Sequence, residues 1–315
     1  METAALTTTQ SSQIEAKQYQ LAEVVDLFIA AQDVKPSSKA LYRRTLKQYL
    51  EWVERNGYQM AEIDRRHVLQ YKEQLLADGK SSLTVGSYIT SVRRFYEWTE
   101  AQKLYPNVAK GIKSPKRRQQ FKKQPLRPDQ TTAMLNNEQQ THSTRDYALI
   151  NLLVRTGLRT IEVSRANVED ITYMGGKRVL RIMGKGRDEK DNFVVLTDKA
   201  YIPLQQYLDE RKAVGIEPLF TSTSNRSKGG RMTTRTISHI AKNALQGIGL
   251  DNRAYTAHSL RHTAAVNILR AGGSLEMVQL TLRHANPATT QIYTSTINEE
   301  RRLAASGESL LDAMY

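Results

Sequence analysis

Apolar positions at spacings of three and four dominate the first third of the chain. Leu21, Val24, Val25, Phe28 and Ile29 form one helical stripe. Leu41, Tyr42, Leu46, Tyr49, Leu50 and Val53 form a second, after a break at Pro36-Ser37-Ser38 where a serine is expected to cap the helix. Gly57 closes that helix. A third is predicted from about Asp64 through Val68, Leu69, Tyr71, Leu75 and Leu76 to Gly79. A fourth runs from about Ser82 through Val85, Tyr88, Ile89, Val92, Phe95, Tyr96 and Trp98. No strand-like alternation interrupts them. Four helices with short Gly- or Pro-marked joints predict a bundle over 19–110, with Tyr49, Tyr88 and Trp98 in its core. Residues 1–18 are polar and without period, and are expected to be a flexible tail.

The stretch 111–127 breaks the pattern. It holds Lys113, Lys116, Arg117, Arg118, Lys122 and Lys123 with no acid, and reads as a basic linker that could also lie along phosphates. Beyond it, over 128–300, two periods mix. A helix starts at Pro128-Asp129, and the apolar run 147–154 reads as a buried helix stopped by Gly157. Two β-rich runs, 179–183 and 193–196, flank a polar loop containing Lys185 and predict a hairpin. Residues 199–213 and 233–247 look helical, as does the segment opening at His258. After Gly272-Gly273 a helix runs from Ser274 to Leu282, and Asn286-Pro287 breaks it before the segment holding Tyr293. Beyond Thr296 a last helix is expected through Leu303 to Leu311, with 301–315 as a carboxy-terminal tail. The fold class is therefore mainly α with a small β-sheet: an amino-terminal helical bundle followed by an α+β domain.

Composition narrows the partner. A length of 315 residues allows two domains at roughly 150 residues each. With 46 Lys+Arg against 32 Asp+Glu the net charge is +14, which implies an acidic partner, nucleic acid first. The absence of cysteine excludes disulfides and thiolate metal sites and fits a reducing cytoplasm. No apolar run approaches the roughly 18 residues of a membrane span, and the first residues lack the basic-then-apolar order of a signal peptide. Lys39, Arg43, Arg44 and Lys47 on the second helix, Arg93 and Arg94 on the fourth, and Lys116, Arg117 and Arg118 in the basic block have two readings. They are a solvated face, or they contact a duplex backbone and position the protein without reading sequence.

The chemistry gathers in 258–293. If His258 lies on a helix, Arg261 projects from nearly the same face. With His284 and Tyr293 they make a set of tools for a phosphate: guanidinium for its oxygens, imidazoles for protons, a phenol to attack. The His258–His262 spacing raises the question of zinc. No glutamate follows the first histidine, however, and Arg261 would set a permanent cation beside the ion, so no metal is expected. His262 falls on a different helical face from Arg261 and reads as structural. Residues 274–293 can also be read as a helix-turn-helix, which makes a non-catalytic, sequence-specific DNA-binding regulator the rival. That rival leaves Arg159, Lys185, His258, Arg261, His284 and Tyr293 without a reason to occur together.

Thr-Gly-Leu-Arg-Thr-Ile-Glu around Arg159, Lys185 in the hairpin, His-Ser-Leu-Arg-His with His258 and Arg261, Leu-Arg-His with His284, and Thr-Thr-Gln-Ile-Tyr-Thr with Tyr293 together resemble the tyrosine recombinases, the family of phage-type integrases and Xer-like resolvases. The resemblance spans about 19–300. It departs at Leu282-Arg283-His284, where the family usually has Leu-Gly-His; Arg283 is expected either to reach the DNA backbone or to lie outside, with altered helix packing. The resemblance implies a core-binding bundle and a catalytic domain closing as a C-shaped clamp on duplex DNA. Tyr293 would attack the scissile phosphodiester, leaving a 3′-phosphotyrosyl link and a free 5′-hydroxyl. Arg159 and Arg261 would clamp the non-bridging oxygens, Lys185 would protonate the leaving oxygen, His258 would assist proton transfer, His284 would hydrogen-bond the phosphate, and Glu162 would support the arginines. No cofactor is implied. The partners implied are double-stranded DNA recombination sites, a homotetramer exchanging strands through a Holliday junction, and optionally an accessory DNA-bending or directionality protein. Leu310, Leu311 and Met314 would suit docking on a neighbouring subunit, or the tail folds back on its own domain. A topoisomerase of the same chemistry is a more distant alternative.

Overall fold

The computed structural model describes residues 21–116, 123–184, 189–305 and 307–315. The tail expected over 1–18, and Arg117, Arg118 and Lys185, lie outside the described residues. The chain divides into two units, Met1–Arg118 and Gln119–Tyr315, each treated by itself.

The first unit is built from α1 (Leu21–Ala31), α2 (Pro36–Arg55), α3 (Arg65–Ala77) and α4 (Ser82–Ala101). The start of α2 differs from expectation. Pro36 is its first residue, Lys35 stands at the cap without a side-chain hydrogen bond, and Ser37 and Ser38 lie within the first turn. Proline has no N–H to satisfy and its fixed φ suits that position, so the helix begins without a serine cap. Asp64 and Ser81 do cap α3 and α4, accepting from backbone N–H groups two and three residues on. The core is aromatic. Phe28 meets Phe95 edge-on at 5.6 Å, and the buried hydroxyls of Tyr49 and Tyr96 bond to each other at 2.9 Å. Tyr88 and Trp98 pack against this core from its margin. Ala109 and Ile112 complete it, and Arg93 donates to the Ile112 carbonyl, so the unit extends to the first residues of the basic stretch.

The second unit follows as α5 (Pro128–Thr141), α6 (Thr144–Thr156), α7 (Thr160–Arg165), β1 (Ile171–Met174), β2 (Lys177–Ile182), β3 (Asn192–Val195), α8 (Asp198–Glu210), α9 (Thr234–Gln246), α10 (Ala257–Arg270), α11 (Leu275–Leu282), α12 (Ala288–Ala304) and α13 (Gly307–Asp312). The expected hairpin is β2–β3, antiparallel, with Val179 opposite Val195 and Ile182 opposite Asn192. A strand not foreseen, β1, pairs with the other edge of β2. It is short, and Gly175-Gly176, both at positive φ, form its tight joint to β2. The basic stretch ends inside this unit: the Leu126 N–H donates to Thr263 Oγ1, and Arg270 donates to the Leu126 carbonyl. Against expectation, α12 runs unbroken through Thr296, and α13 is separate, with Leu310, Leu311 and Met314 exposed.

The helix α6 buries nearly every side chain from Ala148 to Val154. It stops at Gly157, whose φ is +61° and whose hydrogen stands where a Cβ would lie 2.5 Å from Leu282. The ends of α6 and α11 therefore meet against α10, and this contact positions the site. No described helix is long and apolar enough to cross a membrane.

Candidate active site

Four backbone features bring the distant motifs together. Arg159 stands at the cap of α7, and its own N–H and Nη1 both donate to Glu162, at 2.7 and 2.8 Å. Arg261 lies on α10 and is 2% exposed, with Nη1 on the Gly157 carbonyl and Nη2 on the Leu282 carbonyl, both at 2.5 Å. These two carbonyls are the unsatisfied ends of α6 and α11, so one guanidinium ties both helix termini. His284 follows Arg283, the cap of α11, and bonds Thr290 Oγ1 through Nδ1 at 2.9 Å. Tyr293, on the buried face of α12, packs against Ala265, Val266 and Leu282.

The aromatic rings form a chain. His284 stacks parallel to Tyr293 at 6.2 Å, His262 meets Tyr293 edge-on at 5.4 Å, and His258 meets His262 edge-on at 4.6 Å. His262 was expected to be merely structural. It is buried, with its ring edge-on to the phenol. Its i, i+4 relation to His258, read in the sequence only as a question of zinc, brings the two rings together on one face.

Electrostatics follow from this crowding. Burial first, and Arg261, Arg159 and Lys123 next, push His258 below the usual imidazole range. Burial pushes His262 down to about 3, and His284 down to about 4, with neighbouring cations adding to both. All three imidazoles are neutral at pH 7. Burial pushes the Tyr293 phenol up, while Arg261 and Arg159 pull it back. Burial and the Arg159 charge bring Arg261 down to about 9, which leaves it cationic at neutral pH.

Arg283 corrects an expectation. It neither lies outside nor reaches outward: its side chain is 9% exposed and Nη2 donates to Glu162 Oε2 at 2.9 Å. It closes α11 in the left-handed region, φ +55°, ψ +48°, which a glycine would adopt without strain. A cavity of about 500 Å³ is lined by Arg159, Glu162, Gly184, Gln279, Arg283 and His284. Gly184 lies two residues beyond the end of β2, so the foot of the hairpin loop borders the same space as the arginines. Lys185 itself lies outside the described residues. No group of three or more described His, Asp or Glu side chains could hold a metal ion.

The bundle candidates are held differently. Lys39 donates to the Ala30 carbonyl, Arg43 pairs with Asp26, Lys47 lies 3.9 Å from Glu51, Arg93 is tied to Ile112, and Arg94 pairs with Glu97. Arg44 and Lys116 are exposed.

A buried phenol among neutral imidazoles, beside two guanidinium groups and a cavity, is the equipment for phosphoryl transfer to a tyrosine. Comparison with known proteins agrees. Residues 124–300 match the phage integrase family, and residues 27–103 match the N-terminal SAM-like domain of phage integrases. The chain is 32% identical over 269 residues to the tyrosine recombinase XerC of Pelobacter propionicus, covering 83% of this chain and 85% of that protein. It is 28% identical over 264 residues to the tyrosine recombinase XerD of Vibrio cholerae serotype O1, covering 82% and 86%. In fold it is similar to the XerH site-specific recombinase in a post-cleavage complex with a palindromic difH substrate. There the TM-score is 0.74 at 21% identity, over 91% of this chain and 84% of that one. The chain belongs to the phage integrase family of tyrosine recombinases, enzymes that break and rejoin DNA strands in site-specific recombination. The regulator reading of 274–293 has no support: the face of α12 bearing Tyr293 is buried against α10.

Proposed function

We propose that Tyr293 attacks the scissile phosphodiester, forming a 3′-phosphotyrosyl link and releasing a 5′-hydroxyl. The support is that His284 stacks on Tyr293 and that Arg261 and Arg159, from other parts of the chain, stand close enough to act on its phenol. Arg159 and Arg261 hold the non-bridging oxygens as the phosphorane forms, and His284 donates a hydrogen bond to the phosphate. The phenol is protonated at neutral pH and needs an acceptor; neutral His258, at the open end of the ring chain, is suited to take that proton. Glu162 orients Arg159, and Lys185 protonates the leaving oxygen. The phosphotyrosyl link conserves the bond energy, so rejoining takes no nucleotide cofactor.

On this reading the substrate is a pair of double-stranded recombination sites bound by a tetramer in the cytoplasm, with exchange through a Holliday junction. Lys39, Arg43, Arg44, Lys47, Arg93, Arg94, Lys116, Arg117 and Arg118 contact the duplex backbone. The exposed Leu310, Leu311 and Met314 of α13 dock on a neighbouring protomer. Integration, excision and dimer resolution, with or without an accessory DNA-bending or directionality protein, all use this one set of residues. The test is a nicked suicide duplex carrying the site recovered by footprinting. Wild type should trap a covalent protein–DNA adduct and Tyr293→Phe none. An adduct of equal yield in Tyr293→Phe, or none in wild type on a site it occupies, rules the assignment out. Relaxation of supercoils without a paired site would instead identify a topoisomerase.

A further inference from the structure

Glu162 is 1% exposed, and its two oxygens are fully engaged: Oε1 by Arg159 Nη1, Oε2 by the Arg159 N–H and by Arg283 Nη2. Arg283 is itself anchored, with Nη1 on the Thr281 carbonyl. Nothing local favours an arginine there. The backbone is left-handed, the side chain is buried, and Nε is buried with no hydrogen-bond partner among the described residues. A large cation kept under such conditions, on the wall of the cavity that Arg159 and His284 also line, points to a task in the site.

We propose that Arg283 is a positioning residue of the phosphate site, sharing the Glu162 carboxylate with Arg159 so that Glu162 orients Arg159 without cancelling its charge. The inference rests on Arg159 and Arg261 being the phosphate clamp. With glycine at 283, two guanidinium groups face one carboxylate and the net charge is one. With Arg283 it is three against one, leaving two. A phosphodiester carries one negative charge and the pentacoordinate phosphorane two, so the extra cation favours the transition state over the bound substrate. The groups facing Glu162 are Arg159 on its own turn, Arg283 at the end of α11 and Arg261 on α10. Burial pushes its carboxyl up, and Arg283 first, then Arg159, brings it below the usual range.

The experiment uses the full chain and a suicide duplex at saturating concentration, comparing wild type with Arg283→Gly, Arg283→Lys, Glu162→Gln and the Arg283→Gly/Glu162→Gln pair. Arg283→Gly, which relieves the backbone, should slow single-turnover cleavage by about ten- to a hundredfold while duplex affinity changes less than about threefold. Arg283→Lys should recover part of the rate. The double variant should cleave faster than Arg283→Gly, because removing the carboxylate restores two net charges. Glu162 carboxyl titration by ¹³C NMR should move upward in Arg283→Gly, and the acid limb of the cleavage profile should move with it. Wild-type cleavage by Arg283→Gly with an unmoved Glu162 titration overturns the proposal. So does a rate loss that neither lysine nor the double variant relieves. The NMR readout needs no cleavage: if wild type forms no adduct yet Glu162 shifts, the recombinase assignment fails while the charge-sharing stands.

Discussion

In the amino-terminal unit Arg43 pairs with Asp26 and Arg94 with Glu97, all four side chains more than half exposed. In the carboxy-terminal unit Arg261 and Arg283 are almost wholly enclosed, Arg261 donating to the Gly157 and Leu282 carbonyls and Arg283 to that of Thr281. Among the described residues the interior of the first unit buries no charge, and its polar groups include neutral pairs such as Thr45–Ser91 at 2.7 Å and Tyr49–Tyr96. That contrast separates two uses of a positive charge. Water screens the exposed pairs, so each contributes roughly 0–1 kcal/mol and can be exchanged. The buried guanidinium groups hold backbone and carboxylate together, and no exchange leaves their partners satisfied.

The most severe break of this contrast is Arg261→Lys. It keeps the charge but loses the fork that ties the Gly157 and Leu282 carbonyls. Single-turnover cleavage should fall by about a hundred- to a thousandfold. A loss below threefold would mean that charge alone suffices. Gly157→Ala attacks the joint itself, adding a methyl 2.5 Å from Leu282 at a left-handed φ. Denaturant unfolding should show a loss of about 2–4 kcal/mol, and a change under about 0.5 kcal/mol would show that the joint is loose.

A third break is by acid. His262 stands at about 3 in the folded chain against an ordinary 6.5, so below pH 6.5 the unfolded chain binds the proton that the folded chain refuses. Its stabilising contribution is complete above pH 6.5 and is lost as pH falls towards 3, the loss amounting to about 3 kcal/mol near pH 4.5. Melting of wild type should weaken over that window more steeply than melting of His262→Gln; parallel curves would remove His262 from the buried set. The smallest effect belongs to the exposed side of the comparison. Arg43→Ala or Arg94→Ala should change stability by less than about 0.5 kcal/mol. Each should weaken duplex binding evenly across sequences and lower the salt slope by about one if its side chain meets a phosphate. An unchanged slope returns that residue to the solvated face.

Much of the fold was legible because each helix keeps one apolar stripe and ends on a recognisable signal. Pro128 opens α5, Gly157 closes α6, and Val179 and Val195 pair in the expected hairpin. The misses share a cause. Ser37 and Ser38 suggested a cap that Pro36 made unnecessary, and β1 is too short to show a period. Arg283 looked like a surface residue because its neighbours in sequence do not include Glu162, 121 positions away.

The candidates for the reacting groups are legible in the sequence alone. Tyr293, Arg261, His258 and His284 crowd into one stretch, and Arg159 arrives with its glutamate three residues on, a spacing that by itself makes a local ion pair. What only the tertiary structure decided is which of them are buried, and against what. That Arg261 ties the ends of α6 and α11, that His262 lies against the phenol, and that Arg283 turns inward to share a carboxylate are contacts between elements far apart in the chain. Burial changes the energy of a charge far more than its neighbours in sequence do, and burial is a property of the packed fold.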